Sequence, residues 1–139
     1  MKARRTRHKA TAPSPQALPL QILSVASLPT RFGEFRVVAE VGFKDNVQSE
    51  NFPPKRWVEA IRRDLEAGAY LVTLETRESG KGGICRPNGE VRYGLVEEIL
   101  DSGIDANQLM FEAPTNELQG YFVKRIGTNV NLGNIATDA

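Results

Sequence analysis

Tyr70-Leu71-Val72-Thr73-Leu74-Glu75 is short, alternating and rich in strand-forming residues, and its reading decides the fold. Successive side chains on a strand point to opposite faces. Val72 and Leu74 therefore share one face, while Thr73, Glu75 and, two residues on, Arg77 share the other. An apolar face needs a cover, and the flanking segments supply it. Upstream, Pro53 and Pro54 open a helix, because proline is accepted in a first turn. Trp57, Ile61 and Leu65 recur every four residues along it and mark a buried stripe. Gly68 suits a C-terminal cap. Downstream, Leu95, Val96, Ile99 and Leu100 form a second helical face that ends near Gly103.

The same unit repeats outward in both directions. Phe35-Arg36-Val37-Val38-Ala39-Glu40-Val41 reads as an earlier strand. Leu109-Met110-Phe111 is a third, closed by Pro114. Leu118, Phe122 and Ile126 mark a third helical face, with Gly127 behind it, and Val130-Asn131-Leu132 is a fourth strand. Strands alternating with helices predict right-handed βαβ units and a parallel sheet. A closed barrel of this kind takes roughly 250 residues, so four units are half of one. The expected fold is α/β: half of a TIM-type (β/α)8 barrel, four parallel strands with helices, behind a mostly disordered basic leader.

Residues 1–17 form that leader. Lys2, Arg4, Arg5, Arg7 and Lys9 crowd its start and Pro13, Ser14 and Pro15 follow, with no apolar periodicity to offset the entropy of ordering. Residues 18–39 are expected to be extended and to join the sheet, and residues 40–139 to form the half-barrel domain. The whole chain carries 18 Lys and Arg against 17 Asp and Glu, a net charge of +1, which argues against a dedicated nucleic-acid binder. No apolar run approaches the roughly 20 residues of a membrane helix, and no signal-like stretch follows the basic start, which points to the cytoplasm. One cysteine makes neither an internal disulfide nor a cysteine-rich zinc site. The one histidine, His8, lies in the leader, which excludes Ser-His-Asp and Cys-His catalysis from the core.

Strand parity then picks out a constellation. Each strand has one apolar face, and the other carries a polar residue near its C-terminal end: Glu40, Glu75, Glu112 and Asn131. Parallel α/β proteins place their sites at that end. A carboxylate facing a core is costly unless it is paired or bound to a cation. Glu40, Glu75 and Glu112 are therefore candidate ligands of a divalent cation, Mg2+ by its preference for oxygen. The competing expectation is ion pairing with Lys44, Arg77 or Arg36.

The connecting loops add candidates. Lys44 and Asp45 follow the first strand, where a lysine reaches a substrate as proton donor or anion ligand, or is merely solvated. Gly80, Gly82 and Gly83 flank Lys81 in a loop that either presents N–H groups to an anion or is a plain flexible connection. Gly133 and Asn134 follow the last strand, where barrels often hold phosphate. Cys85 reads as an idle thiol and Trp57 as core.

The segments Glu40-Val41-Gly42-Phe43-Lys44-Asp45, Asp64-Leu65-Glu66-Ala67-Gly68-Ala69 and Arg77-Glu78-Ser79-Gly80 resemble the phosphosulfolactate synthase family. So do Gly83-Ile84-Cys85-Arg86-Pro87-Asn88-Gly89-Glu90, Phe111-Glu112-Ala113-Pro114 and Asn129-Val130-Asn131-Leu132-Gly133-Asn134-Ile135, in family order and spacing over about residues 38–135. The resemblance implies the later half of a TIM-type barrel and a magnesium-dependent addition of sulfite to phosphoenolpyruvate, an early step toward coenzyme M. Phe43 stands where that family usually has a lysine, and Tyr121 where a tryptophan is common. Residues 24–39 instead look like the start of a GTP cyclohydrolase II domain, without its zinc-binding cysteines. The two resemblances meet near Ala39 and suggest a composite chain.

Two functions follow as expectations. In one, the chain is a phosphosulfolactate synthase-like lyase, with the substrate carboxylate on Mg2+ held by Glu40, Glu75 and Glu112, Lys44 as proton donor and Arg77 holding sulfite or phosphate. In the other it is a catalytically idle half barrel, an assembly or interaction module whose open sheet edges invite a second copy.

Overall fold

A computed structural model describes residues 29–30, 33–34 and 36–136. The expectations for residues 1–17, and for the greater part of 18–39, fall outside them. Within them, β1 (Pro29–Thr30) and β2 (Gly33–Glu34) form a small antiparallel pair. The body is a four-stranded sheet of β3 (Val38–Val41), β4 (Leu71–Leu74), β5 (Leu109–Glu112) and β6 (Asn131–Gly133), in chain order and parallel throughout. This is the α/β arrangement of half a TIM-type barrel, as the strand–helix alternation predicts.

The crossovers come from three helices. α2 (Pro54–Glu66) starts on its proline and ends at Ala67, with Gly68 at φ 99° turning the chain back to the sheet. α3 (Tyr93–Asp101) joins β4 to β5. α4 (Asn116–Ile126) is capped by Thr115, whose hydroxyl accepts from the Leu118 N–H, and ends at Gly127 with φ 125°. The apolar stripes read from the sequence meet one face of the sheet. Trp57, Ile61, Leu95, Val96, Ile99, Leu118 and Phe122 are buried against Val41, Val72, Leu74, Leu109 and Phe111. The Phe111 and Phe122 rings pack with centroids 4.6 Å apart. Fully burying each such side chain is worth about 1.5–3 kcal/mol.

Two elements depart from the sequence reading. The segment after Lys44 is not a plain loop but α1 (Asn46–Asn51), with Asp45 as N-cap accepting from Gln48 N–H at 2.8 Å. Its six residues are too few to show an apolar period, and the Asp45…Gln48 spacing of a capping box was its one signal. The first strand also begins only at Val38. Upstream of it, the Val37 carbonyl makes the opening bond of the ladder, accepting from Tyr70 N–H at 2.8 Å.

Candidate active site

The register places the polar residues in two layers on the face away from the helices. Glu40 pairs with Thr73, Thr73 with Met110 and Met110 with Asn131. Neighbours in a parallel ladder share a face, so these four form the lower layer. Glu75 and Glu112 belong to the next layer, where Glu112 pairs with Gly133. The matching depth expected from parity is thus off by one layer at Glu40 and at Asn131.

The three glutamates nevertheless converge. One carboxylate oxygen from each of Glu40, Glu75 and Glu112 lies within 4.8 Å of the others. Glu75 is 1% exposed. Its carboxyl is pushed up from 4.5 to about 7, first by burial, then by the charge of Glu112 and by a hydrogen bond and like charge from Glu40. Lys44 opposes this, with Nζ 3.9 Å from Glu75 Oε2, but its side chain is 71% exposed, so the ion pair is loose. Glu112 is fixed differently: its Oε2 accepts from the Thr76 N–H at 2.7 Å.

Asn131 does not join them, which corrects the expected foursome. Its amide donates to the Asn107 and Leu109 carbonyls, both at 3.1 Å, toward the start of β5. The sixth strand reaches the site through Asn134 instead, three residues on. Asn134 Nδ2 donates to the Thr76 carbonyl at 3.0 Å. Gly133 lies under Met110, whose Sδ would stand 3.1 Å from a Cβ there.

Arg77 does not pair with a glutamate. It donates to the Lys44 carbonyl at 3.2 Å, tying the loop after β4 to the loop after β3. Arg36 lies over the Tyr70 ring at 4.2 Å, away from the carboxylates. The glycine loop is neither a free anion cradle nor a slack connection. Gly83 sits so close to β4 that a Cβ would meet the Glu75 carbonyl at 1.7 Å. Its own carbonyl accepts from Ser49 Oγ at 3.0 Å and from Arg92 at 3.2 Å. Arg92 also donates to the Ser49 and Phe52 carbonyls, pinning α1 beneath the loop. Nothing in the apolar periodicity singled out Arg92, because its work is on main-chain carbonyls distant in sequence. Trp57 is buried, as expected of a core residue, and Cys85, read from the sequence as an idle loop thiol, is buried as well.

Lys44, Glu75, Thr76, Arg77, Glu78, Ser79, Glu112 and Asn134 line a cavity of about 560 Å3. It has an acidic floor and a rim bearing two cations. The donor set suits a hard divalent cation: three carboxylates, all oxygen, one of them buried beside a single distant counter-ion among the described residues.

A parallel sheet helical on one face, with its acidic cavity at the C-terminal strand ends, defines an α/β protein of the TIM-barrel class. Comparison with known sequences narrows this. The family model for (2R)-phospho-3-sulfolactate synthase (ComA) matches residues 28–139, and the chain belongs to that family. The match begins upstream of Ala39, where the sequence reading placed a join. A phosphosulfolactate synthase of Bacillus subtilis is 50% identical over 102 residues, 73% of this chain and 40% of the relative. That of Methanothermobacter thermautotrophicus is 39% identical over 102 residues, 73% of this chain and 39% of the relative. A third, of Methanocaldococcus jannaschii, is 38% identical over 105 residues, 75% and 41% of the two chains. The chain thus spans less than half the length of the curated relatives it matches. Among the described residues no helix is long and apolar enough to cross a membrane.

Proposed function

We propose that the chain carries a phosphosulfolactate synthase site, and that it adds sulfite to phosphoenolpyruvate with Mg2+ on Glu40, Glu75 and Glu112. The convergence of those three carboxylates carries the reading, since like charge so close together, with Glu75 buried, calls for a cation. Mg2+ bound there would hold the substrate carboxylate and stabilise the negative charge that builds on it.

The residues around the floor supply the remaining steps. Sulfite sulfur bonds to the methylene carbon of phosphoenolpyruvate, and the electron pair of the carbon–carbon double bond moves toward the carboxylate. The neighbouring carbon then takes a proton, leaving phosphosulfolactate with its phosphate ester intact. Lys44 is the proton donor in this scheme: its Nζ projects over the cavity on an exposed stem and is not locked in a tight ion pair. Arg77, held by the Lys44 carbonyl, presents its remaining N–H groups to sulfite or phosphate. Asn134 stands on the cavity lining, and in this scheme Gly133 and Asn134 take the phosphate through the main chain, since the Asn134 amide is engaged with Thr76. A cytoplasmic setting suits these small anionic substrates.

A second reading, the idle half barrel, is favoured by the sheet edges. Among the described residues no strand pairs with the outer side of β3 or of β6, and Val37 and Val38 are each 47% exposed. Pairing of these edges between two copies would make eight strands.

Titration calorimetry with MgCl2, beside an assay of sulfite consumption with phosphoenolpyruvate, separates the readings. The synthase reading expects Mg2+ binding that Glu112→Gln weakens, and turnover that Lys44→Ala abolishes without loss of fold. Mg2+ binding without turnover supports the idle module. Absence of both removes the metal site.

A further inference from the structure

We propose that the Asn134 side chain is a positioning group for Glu112, acting through the main chain of Thr76 rather than through its own contact with substrate. Three observations meet at this residue. Asn134 is the one non-glycine among the described residues with positive φ, at 51°. That left-handed region costs most side chains energy, and asparagine is among the few that enter it readily. The unusual backbone is coupled to a specific bond: Nδ2 donates to the Thr76 carbonyl at 3.0 Å, across 58 residues of sequence. Thr76 in turn donates its N–H to Glu112 Oε2 at 2.7 Å.

The sheet order makes this relay informative. β5 lies between β4 and β6, so the Asn134 bond passes over the end of β5 to grip the residue that follows β4 by two. Alongside it, Ala113 N–H donates to the Gly133 carbonyl at 2.9 Å, extending the β5–β6 ladder. Glu112 is therefore held in a loop of one main-chain bond and two side-chain bonds, its own carboxylate on Thr76 and the Asn134 amide on the same residue. Thr76 is fully buried with Asn134 in place, so within the folded site its carbonyl relies on that amide. Groups that orient a metal-binding carboxylate in this way typically set affinity by on the order of 10–100-fold.

Asn134→Gly is the informative variant, because glycine keeps φ 51° without strain and removes only the amide. Asn131→Ala is its control. It also deletes an amide that bonds two carbonyls of a neighbouring segment, but at the other end of β6. Two readouts are needed: the Thr76 amide exchange rate, with the Glu75 amide (bonded to the Val41 carbonyl at 3.0 Å) as internal reference for global opening, and Mn2+ affinity by electron paramagnetic resonance. The second readout rests on the metal reading above, and the first does not. The expected result is Thr76 exchange faster by roughly tenfold relative to Glu75, and Mn2+ affinity lower by on the order of tenfold, in Asn134→Gly only. If the unsubstituted protein binds no Mn2+, the metal reading fails and Thr76 exchange alone decides the inference. Unchanged Thr76 exchange overturns it, even if Mn2+ weakens, since Asn134 would then act directly. Faster Thr76 exchange with unchanged Mn2+ affinity also overturns it, leaving Asn134 a purely structural tie.

Discussion

Gly42 lies against Glu75 so closely that a Cβ at position 42 would stand 2.7 Å from the Glu75 Cβ and 2.7 Å from Cη2 of Trp57. The backbone there has φ 132°, outside the range of most L-residues. The glycine after β3 thus leaves room for both the stem of Glu75 and the ring of Trp57. Gly42→Ala is expected to cost about 3 kcal/mol or more, from overpacking and backbone strain together. Chemical denaturation measures it, and a change within 0.5 kcal/mol, the scale of a neutral surface substitution, would show that the contact relaxes freely.

Glu75 sets a pH dependence. Its folded-state value of about 7 lies above the ordinary 4.5, so between those values the folded state binds more protons than the unfolded state. Metal-free stability must then fall as pH rises from about 4.5 to about 7, and level off above. Melting curves at pH 5, 6 and 7.5 in chelator should decline in that order, and Glu75→Gln should flatten the decline. Mg2+ added at pH 7.5 should raise the melting temperature through binding to the folded state.

Cys85 is 1% exposed, and burial pushes its thiol up to about 11, against a smaller opposing effect of Thr76. A disulfide reagent at pH 8 should leave the folded protein unmodified and react fully after denaturation. Rapid reaction of the native protein would place the thiol at the surface.

Arg92 donates to the carbonyls of Ser49, Gly83 and Phe52 at 2.8, 3.2 and 3.3 Å. Removing it strands the Phe52 carbonyl and takes one of two donors from the carbonyls of Ser49 and Gly83, so Arg92→Ala is expected to cost about 2 kcal/mol. Arg92→Lys should recover little of this, because one ammonium does not reproduce the fork. Equal stability of the lysine variant would mean that one of the three bonds suffices.

How much was legible in the sequence depends on the range of the interaction. Trp57, Ile61 and Leu65 announce their helix, and Val72 and Leu74 their strand face, because local periodicity is imposed by geometry within one element. The three glutamates were legible for the same reason, each being the polar member of an otherwise apolar strand. Parity fixes a face but not a height, since a shift of two residues leaves the face unchanged. Asn131 and Glu112 share a face, yet the register puts Asn131 beside Met110.

By itself the sequence determined the layers of this protein: which stripes are buried, which strands carry carboxylates, and the family to which those segments belong. Only the tertiary structure decided how the site is assembled. Glu75 meets Glu112 through ladder register, Asn134 replaces Asn131 by reaching across β5 to Thr76, and Arg92 and Gly83 lock the loop on Glu75. These bonds join main-chain groups to side chains outside their own element, 9 residues apart for Arg92 and Gly83 and 58 for Asn134 and Thr76. A backbone carbonyl is the same at every position, so no residue type in the sequence marks which one will be used.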